Sequence, residues 1–249
     1  LEAIAKAGHQ MEGFYLSRAN LEGINLVRPG STSGYNFSKA DFYRASLRNA
    51  HLFKINLNNA SLMKADCRDA NLHFANLNNT NLLGARLDHA KIENVNWGHR
   101  LYHRQKAMEA FKADKPDEAL DFLEQTEEVC RHLRKVSEMR GLFELAGHFF
   151  HEEMIMRRLQ MSRFSPQRIG SWLVDVFCGY GEKPMRVIVF SLCIIFLCSF
   201  AYFSLGIGDA GTVVAFNSGT SWQENLLVWA KTLYFSVVTF TTLGYGDLV

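Results

Sequence analysis

The sequence predicts a multidomain chain: an N-terminal repeat solenoid, an α-helical linker domain and an α-helical membrane domain. Three observations predict it. One apolar residue recurs every five positions from Phe37 to Trp97; residues 99–168 are charged, apolar-periodic and nearly free of Gly; and Val187 to Gly208 runs 22 residues without a charge. The boundaries that follow are 1–98, 99–182 and 183–249.

The repeat comes first. Its apolar positions are Phe37, Phe42, Leu47, Leu52, Leu57, Leu62, Cys67, Leu72, Leu77, Leu82, Leu87, Ile92 and Trp97. Two places earlier in most units stands Ala, with Tyr35, Ile55, Thr80 and Val95 departing. A period of five matches neither the 3.6 of a helix nor the 2 of a strand, so the chain must turn corners at fixed intervals. Met11, Leu16, Leu21 and Leu26 keep the period in a register shifted by one. The eleven-residue step from Leu26 to Phe37, two units plus one extra residue, contains Arg28, Pro29, Gly30, Ser31, Thr32, Ser33 and Gly34 and reads as a bulge or loop. Asn and Asp between the apolar positions read as turn-satisfying side chains.

This pattern resembles the pentapeptide-repeat family. The resemblance implies a right-handed quadrilateral β-helix, one unit per side and four per coil, about four coils in all. Phe37, Leu57, Leu77 and Trp97 would then stack on one wall and Phe42, Leu62 and Leu82 on the next, with Ala where the interior near the corners is tight. Some members act as DNA mimics through a strongly acidic surface. Residues 1–97 hold 11 Lys or Arg against 8 Asp or Glu, which argues against that role and for a spacer, a subunit contact or a partner platform.

In the middle, a helix is expected over about His99 to Lys112. A second starts at Lys115, Pro116 and Asp117, with Pro near its N-terminus and acids in its first turn, and runs to Cys130 or beyond. Val136 to Leu159 reads as a helix pair broken near Gly141 or Gly147. His148, His151 and Glu152 lie close enough on a helix to ligate a metal, but without a third ligand they read as surface or packing residues. Met154 to Arg168 interleaves apolar residues with Arg157, Arg158, Arg163 and Arg168, and Trp172 follows, as in a segment that lies along lipid headgroups; a solvated helix face is the other reading.

Val187 to Gly208 would span about 33 Å as a helix, against a hydrocarbon core of roughly 30 Å. Met154 to Arg186 carries six basic residues against two acidic, while Asp209 and Glu224 are the only charges in the connection that follows. The positive-inside rule therefore puts the N-terminal domains in the cytoplasm. No helix carries Arg at every third position, so no voltage sensor is expected.

The chain closes on Thr241, Thr242, Leu243, Gly244, Tyr245, Gly246 and Asp247. Gly244 and Gly246 permit the alternating backbone that aims successive carbonyls to one side. Leu233 to Thr241 is long enough for a short helix before them, and Trp222 to Trp229 reads as a turret leading into it, with Lys231 early in that helix.

The run resembles the selectivity filter of two-transmembrane potassium channels, of a kind found in bacteria. The resemblance implies K⁺ coordination by the carbonyls of Thr242, Leu243, Gly244 and Tyr245 and the Thr242 hydroxyl, with Gly246 completing the filter and no cofactor beyond the permeant ion. Thr241, Tyr234, Phe235, Val238 and Asp247 would support it: Tyr234 and Phe235 stand where many members carry paired Trp, Tyr234 is placed to hydrogen-bond Asp247, and Val238 stands where some bacterial members carry Glu. A filter strand supplies one quarter of each oxygen ring, so a homotetramer in the plasma (inner) membrane is implied, with the filter mouth extracytoplasmic. The start at Leu1 without Met and the stop at Val249 lead us to expect a fragment, the second transmembrane helix lying outside it.

The expected function is therefore a potassium-selective channel with a cytoplasmic repeat domain for assembly or regulation, through an unknown cytoplasmic ligand or protein partner. A weakly selective cation channel and a membrane-anchored scaffold with a non-conducting pore are the alternatives. No enzyme chemistry is expected. A net charge of +2 gives no reason to expect nucleic acid, and five Cys without a Cys-x-x-Cys pair suggest neither a zinc site nor a disulfide framework.

Overall fold

The computed structural model describes residues 1–28, 30–209 and 212–242. They divide into two compact units, Leu1–Trp172 and Leu173–Val249.

The first unit opens with a short helix, α1 (Glu2–Lys6), followed by a β-helix. Its coils are joined by parallel bridges between residues 20 apart, such as Asp41 with Ser61, Ser61 with Asn81 and Asn56 with Asn76, so four five-residue units make one coil. Each corner needs a tight turn. The residue two places after the apolar one takes a left-handed backbone, as Arg44, Asn49, Lys54, Asn59 and Lys64 do, and the N–H three places after it donates back to its carbonyl, as Ala45 does to Phe42. A left-handed residue in third place is what such a turn demands, and Asn and Asp tolerate it well. The expected role of the polar residues holds: the side chains of Asp41, Asn56, Asn71 and Asn76 accept the backbone N–H two residues on, at 2.9 to 3.2 Å. Asn36, Asn56, Asn76 and Asn96 also join their amides coil to coil, at 2.8, 3.0 and 3.2 Å.

The apolar positions and the Ala positions form the core, from Phe37 to Ile92 and from Ala40 to Ala90. Thr80, which breaks the Ala pattern, is buried and donates its hydroxyl to the Leu57 carbonyl at 2.8 Å. The first coil stacks out of step: Tyr15 bridges Asp41 and Asn20 bridges Ser46, 26 residues apart instead of 20. The step from Leu26 to Phe37 is thus one corner carrying six extra residues, not two units and a residue.

The helices that follow are α2 (Tyr102–Lys112), α3 (Pro116–Met139) and α4 (Phe143–Gln160). The break expected near Gly141 or Gly147 within Val136 to Leu159 falls at Gly141. Val136 to Met139 completes α3, Gly141 takes a left-handed backbone in the turn, and α4 runs unbroken through the buried Gly147. Met154 to Gln160 likewise belongs to α4, where Met156 is buried with Ala107 and Leu123 while Arg157 is exposed, as in an ordinary helix with one solvated face. The segment that buries no residue is α5 (Pro166–Cys178), with Ile169, Trp172, Leu173, Val174 and Val176 exposed.

Helices α3 and α4 close the end of the β-helix. Val129, Leu133, Val136 and Phe149 share its core, and Phe149 meets Trp97 edge-on with centroids 5.4 Å apart. On the last coil the Leu87 N–H, with no coil beyond it to accept, donates to Nε2 of His132 at 3.3 Å.

The second unit holds a 3₁₀ turn (Gly179–Gly181), then α6 (Pro184–Leu205), a two-stranded ribbon of β1 (Ile207–Asp209) and β2 (Thr212–Val214), and α7 (Trp222–Phe240). Helix α6 is long and apolar enough to cross a membrane. It starts three residues before the charge-free run and stops at Leu205, because Gly206 takes a left-handed backbone (φ 92°) and the chain turns into β1; Gly206 to Gly208 is not helical as the run implied.

Two outcomes are expected. Ala65 is fully buried at a corner, so Ala65→Leu should cost about 1–3 kcal/mol in chemical denaturation. His103 on α2 is buried, with no charge partner among the described residues, and burial pushes its pKa down to about 4. Unfolded it would titrate near 6.5, so stability is full above that pH and falls as pH drops from 6.5 toward 4, by up to about 3 kcal/mol. Melting curves across that window should flatten in His103→Gln.

Candidate functional site

Helix α7 carries the residues expected to stand behind a filter. It begins at a full capping box: the Ser221 side chain accepts the Glu224 N–H, and the Glu224 carboxylate accepts the Ser221 N–H, both at 3.3 Å. The Ser-Trp-Gln-Glu spelling of that box was present in the sequence. It corrects the turret reading of Trp222 to Trp229, which is the first two turns of one 19-residue helix and not a loop before a short one.

Three small polar residues fasten α7 to α6. Ser199 and Thr232 are fully buried, with hydroxyls 3.4 Å apart, and the Thr232 hydroxyl donates to the Trp229 carbonyl at 2.8 Å. The Ser236 hydroxyl donates to the Ile195 carbonyl across the pair, also at 2.8 Å. Such residues let helices approach closely and bond where lipid offers no partner. The sequence reading missed this seam; its signal was Thr232 and Ser236 four apart, with Ser199 inside an apolar run.

Of the expected support residues, Phe235 packs against Tyr202 of α6, centroids 5.1 Å apart at 76°, and Val238 is buried. Tyr234 is partly exposed. Thr241 caps the helix, its hydroxyl donating to the Val237 carbonyl at 2.8 Å. Thr242 takes a left-handed backbone, φ 55°. A β-branched residue there stores on the order of 1–3 kcal/mol, the kind of strain that gathers at functional sites. Leu243, Gly244, Tyr245, Gly246 and Asp247 lie outside the described residues, and so does the expected Tyr234–Asp247 bond.

In the helical layer, the three side chains weighed as metal ligands do other work. Glu152 is bound by Arg104, His148 lies against Phe149 and His151 is buried on α4; among the described residues none groups with two further metal-ligating side chains. Buried Glu153 accepts from Arg131 Nε at 3.1 Å and from Arg134 Nε at 3.0 Å, and Arg131 also binds Glu127. Removing one member would leave a buried charge unpaired.

A seam held by hydroxyls gives a direct test. Ser236→Val should weaken the α6–α7 pairing by about 1 kcal/mol, read as a lower detergent-denaturation midpoint, while Ser204→Ala, on the exposed side of α6, should leave it unchanged.

The repeat is independently recognisable. The profile of the family described as pentapeptide repeats matches residues 40–71 and 65–96, in eight copies. Among solved structures, a pentapeptide repeat protein from Nostoc PCC 7120 is 34% identical, over 36% of this chain and 70% of its own, with a TM-score of 0.32. HetL, a pentapeptide repeat protein involved in heterocyst differentiation regulation in Nostoc sp. strain PCC 7120, is 30% identical over 32% of this chain and 46% of its own, with a TM-score of 0.24. No curated protein matches the chain. The sequence match over residues 40–96 and the 20-residue spacing of the bridges agree, and the N-terminal part of this chain is a pentapeptide-repeat domain.

Proposed function

We propose that this chain is a subunit of a homotetrameric, potassium-selective channel of the plasma membrane, with its pentapeptide-repeat domain serving assembly or regulation on the cytoplasmic side. The observation that carries the reading is one of order. The run Thr241 to Asp247 begins where α7 ends, and α7 is bonded through Thr232 and Ser236 to a helix of membrane-spanning length and composition. A helix in that place aims its negative C-terminal end at the ion path.

On this reading K⁺ exchanges its water for the carbonyls of Thr242, Leu243, Gly244 and Tyr245, four subunits completing each ring. Asp247 sits at the outer mouth. The basic flank before α6 keeps the N-terminal domains inside. Helix α5, with Trp172 and its apolar neighbours uncovered, suits the headgroup level just before the span.

The test is K⁺ flux into liposomes holding the full-length protein, with Na⁺ competing and Gly244→Ala alongside. Selective flux that falls to background in the variant supports the proposal. Flux that does not discriminate against Na⁺ replaces it with a weakly selective channel, and an assembled protein that passes no ion under any stimulus tried replaces it with a membrane-anchored scaffold.

A further inference from the structure

The β-helix opens at one corner. There the six extra residues between Leu26 and Phe37 leave the wall, and among the described residues no bridge joins Gln10 to Asn36 as Tyr15 is joined to Asp41. A cleft of about 1000 Å³ results, between the stretch after α1, Arg28 with Thr32 to Gly34, and the wall holding Lys54 and Phe74. Gly34 seats the loop: a Cβ there would stand 2.1 Å from the Lys54 carbonyl oxygen.

The charge of this cleft is not balanced. Its one acid, Glu12, is held by Lys39 at 2.8 Å, and Lys6 answers to Glu2 at 3.8 Å. Arg28 and Lys54 face the cleft with no carboxylate paired to either among the described residues. The Lys54 ammonium instead lies 5.3 Å from the Phe53 ring and 5.9 Å from the Phe74 ring. Thr32 and Ser33 line the loop side with hydroxyls. Phe74 holds a left-handed backbone (φ 59°), keeps about half its surface open, and is braced edge-on by Phe53 and His73. Two cations without a carboxylate partner, hydroxyl donors and a half-exposed aromatic ring are the groups that recognise a phosphate joined to a flat ring. The volume sits at the upper end of small-molecule sites, far more than inorganic phosphate would fill.

We infer that this corner cleft of the pentapeptide-repeat domain is a binding site for a nucleoside phosphate. The phosphates lie between Arg28 and Lys54, with Thr32 and Ser33 donating to them, and the base lies on Phe74. The site does not rest on the channel reading, because it is formed within the β-helix.

Titration calorimetry of the full chain in detergent, with ATP, ribose 5-phosphate and inorganic phosphate as probes, tests it. Lys54 and Phe74 stand at left-handed positions, so the variants are Lys54→Asn and Phe74→Asn, which tolerate that backbone, together with Arg28→Ala. ATP should bind more tightly than ribose 5-phosphate, and ribose 5-phosphate more tightly than inorganic phosphate. Arg28→Ala and Lys54→Asn should each raise the ATP Kd about tenfold. Phe74→Asn should raise the Kd for ATP and leave that for ribose 5-phosphate unchanged. Failure of ATP to bind at millimolar concentration overturns the inference, as does ATP binding that ignores both cation variants. Equal weakening of ATP and ribose 5-phosphate by Phe74→Asn overturns the place given to the base.

Discussion

Backbone hydrogen bonding from coil to coil is the constraint on which the first unit depends. Each side of the β-helix has only a few residues, too few to stand alone, and is held by donation to the carbonyl of the coil that follows, as Leu57 donates to Asn76 and Leu62 to Asn81. That dependence makes the period strict. A unit of four or six residues would turn the apolar residue out of the core and break the ladder on both sides. The one six-residue excess is therefore expelled at a corner, where it opens a cleft instead of shifting the register.

The same ladder creates a problem at its last coil, whose forward-donating N–H groups, such as that of Leu87, have no further coil to meet. Helices α3 and α4 answer it with apolar cover from Val129, Leu133, Val136 and Phe149, and with a side-chain acceptor, His132, for the Leu87 N–H. Burial pushes the His132 pKa down, which keeps its ring neutral and able to accept. Arg140 on the turn after α3 binds Glu93 of the last coil, adding a charged tie beside the apolar one. The helical layer is thus the cap of the solenoid as well as its continuation, and the two share one core.

In the second unit, where α6 is long and apolar enough to cross a membrane, apolar surface alone does not choose which face of one helix meets another. Hydroxyls on Ser199, Thr232 and Ser236 make that choice. They fix which face of α7 meets α6, and therefore where its C-terminal end places Thr241 and Thr242.

Much of this was legible in the sequence because it repeats or because it is long. The period from Phe37 to Trp97 names the coil, since an interior of identical stacked layers needs the same residue types each time. The charge-free run Val187 to Gly208 foretold a long apolar helix, which the structure has at Pro184–Leu205. Other features had weak local signals: the capping box at Ser221 and Glu224 was spelled out, yet the aromatic and polar mix around it reads as loop. What only the tertiary structure decided are the meetings of residues far apart in the chain, where no local pattern points. Met156 is core because Ala107 and Leu123 come to cover it. Arg28, Lys54 and Phe74 form one cleft because the excess residues leave at the corner where the coils bring them together; periodicity fixes what each five-residue unit buries, and only the stacking fixes what it faces.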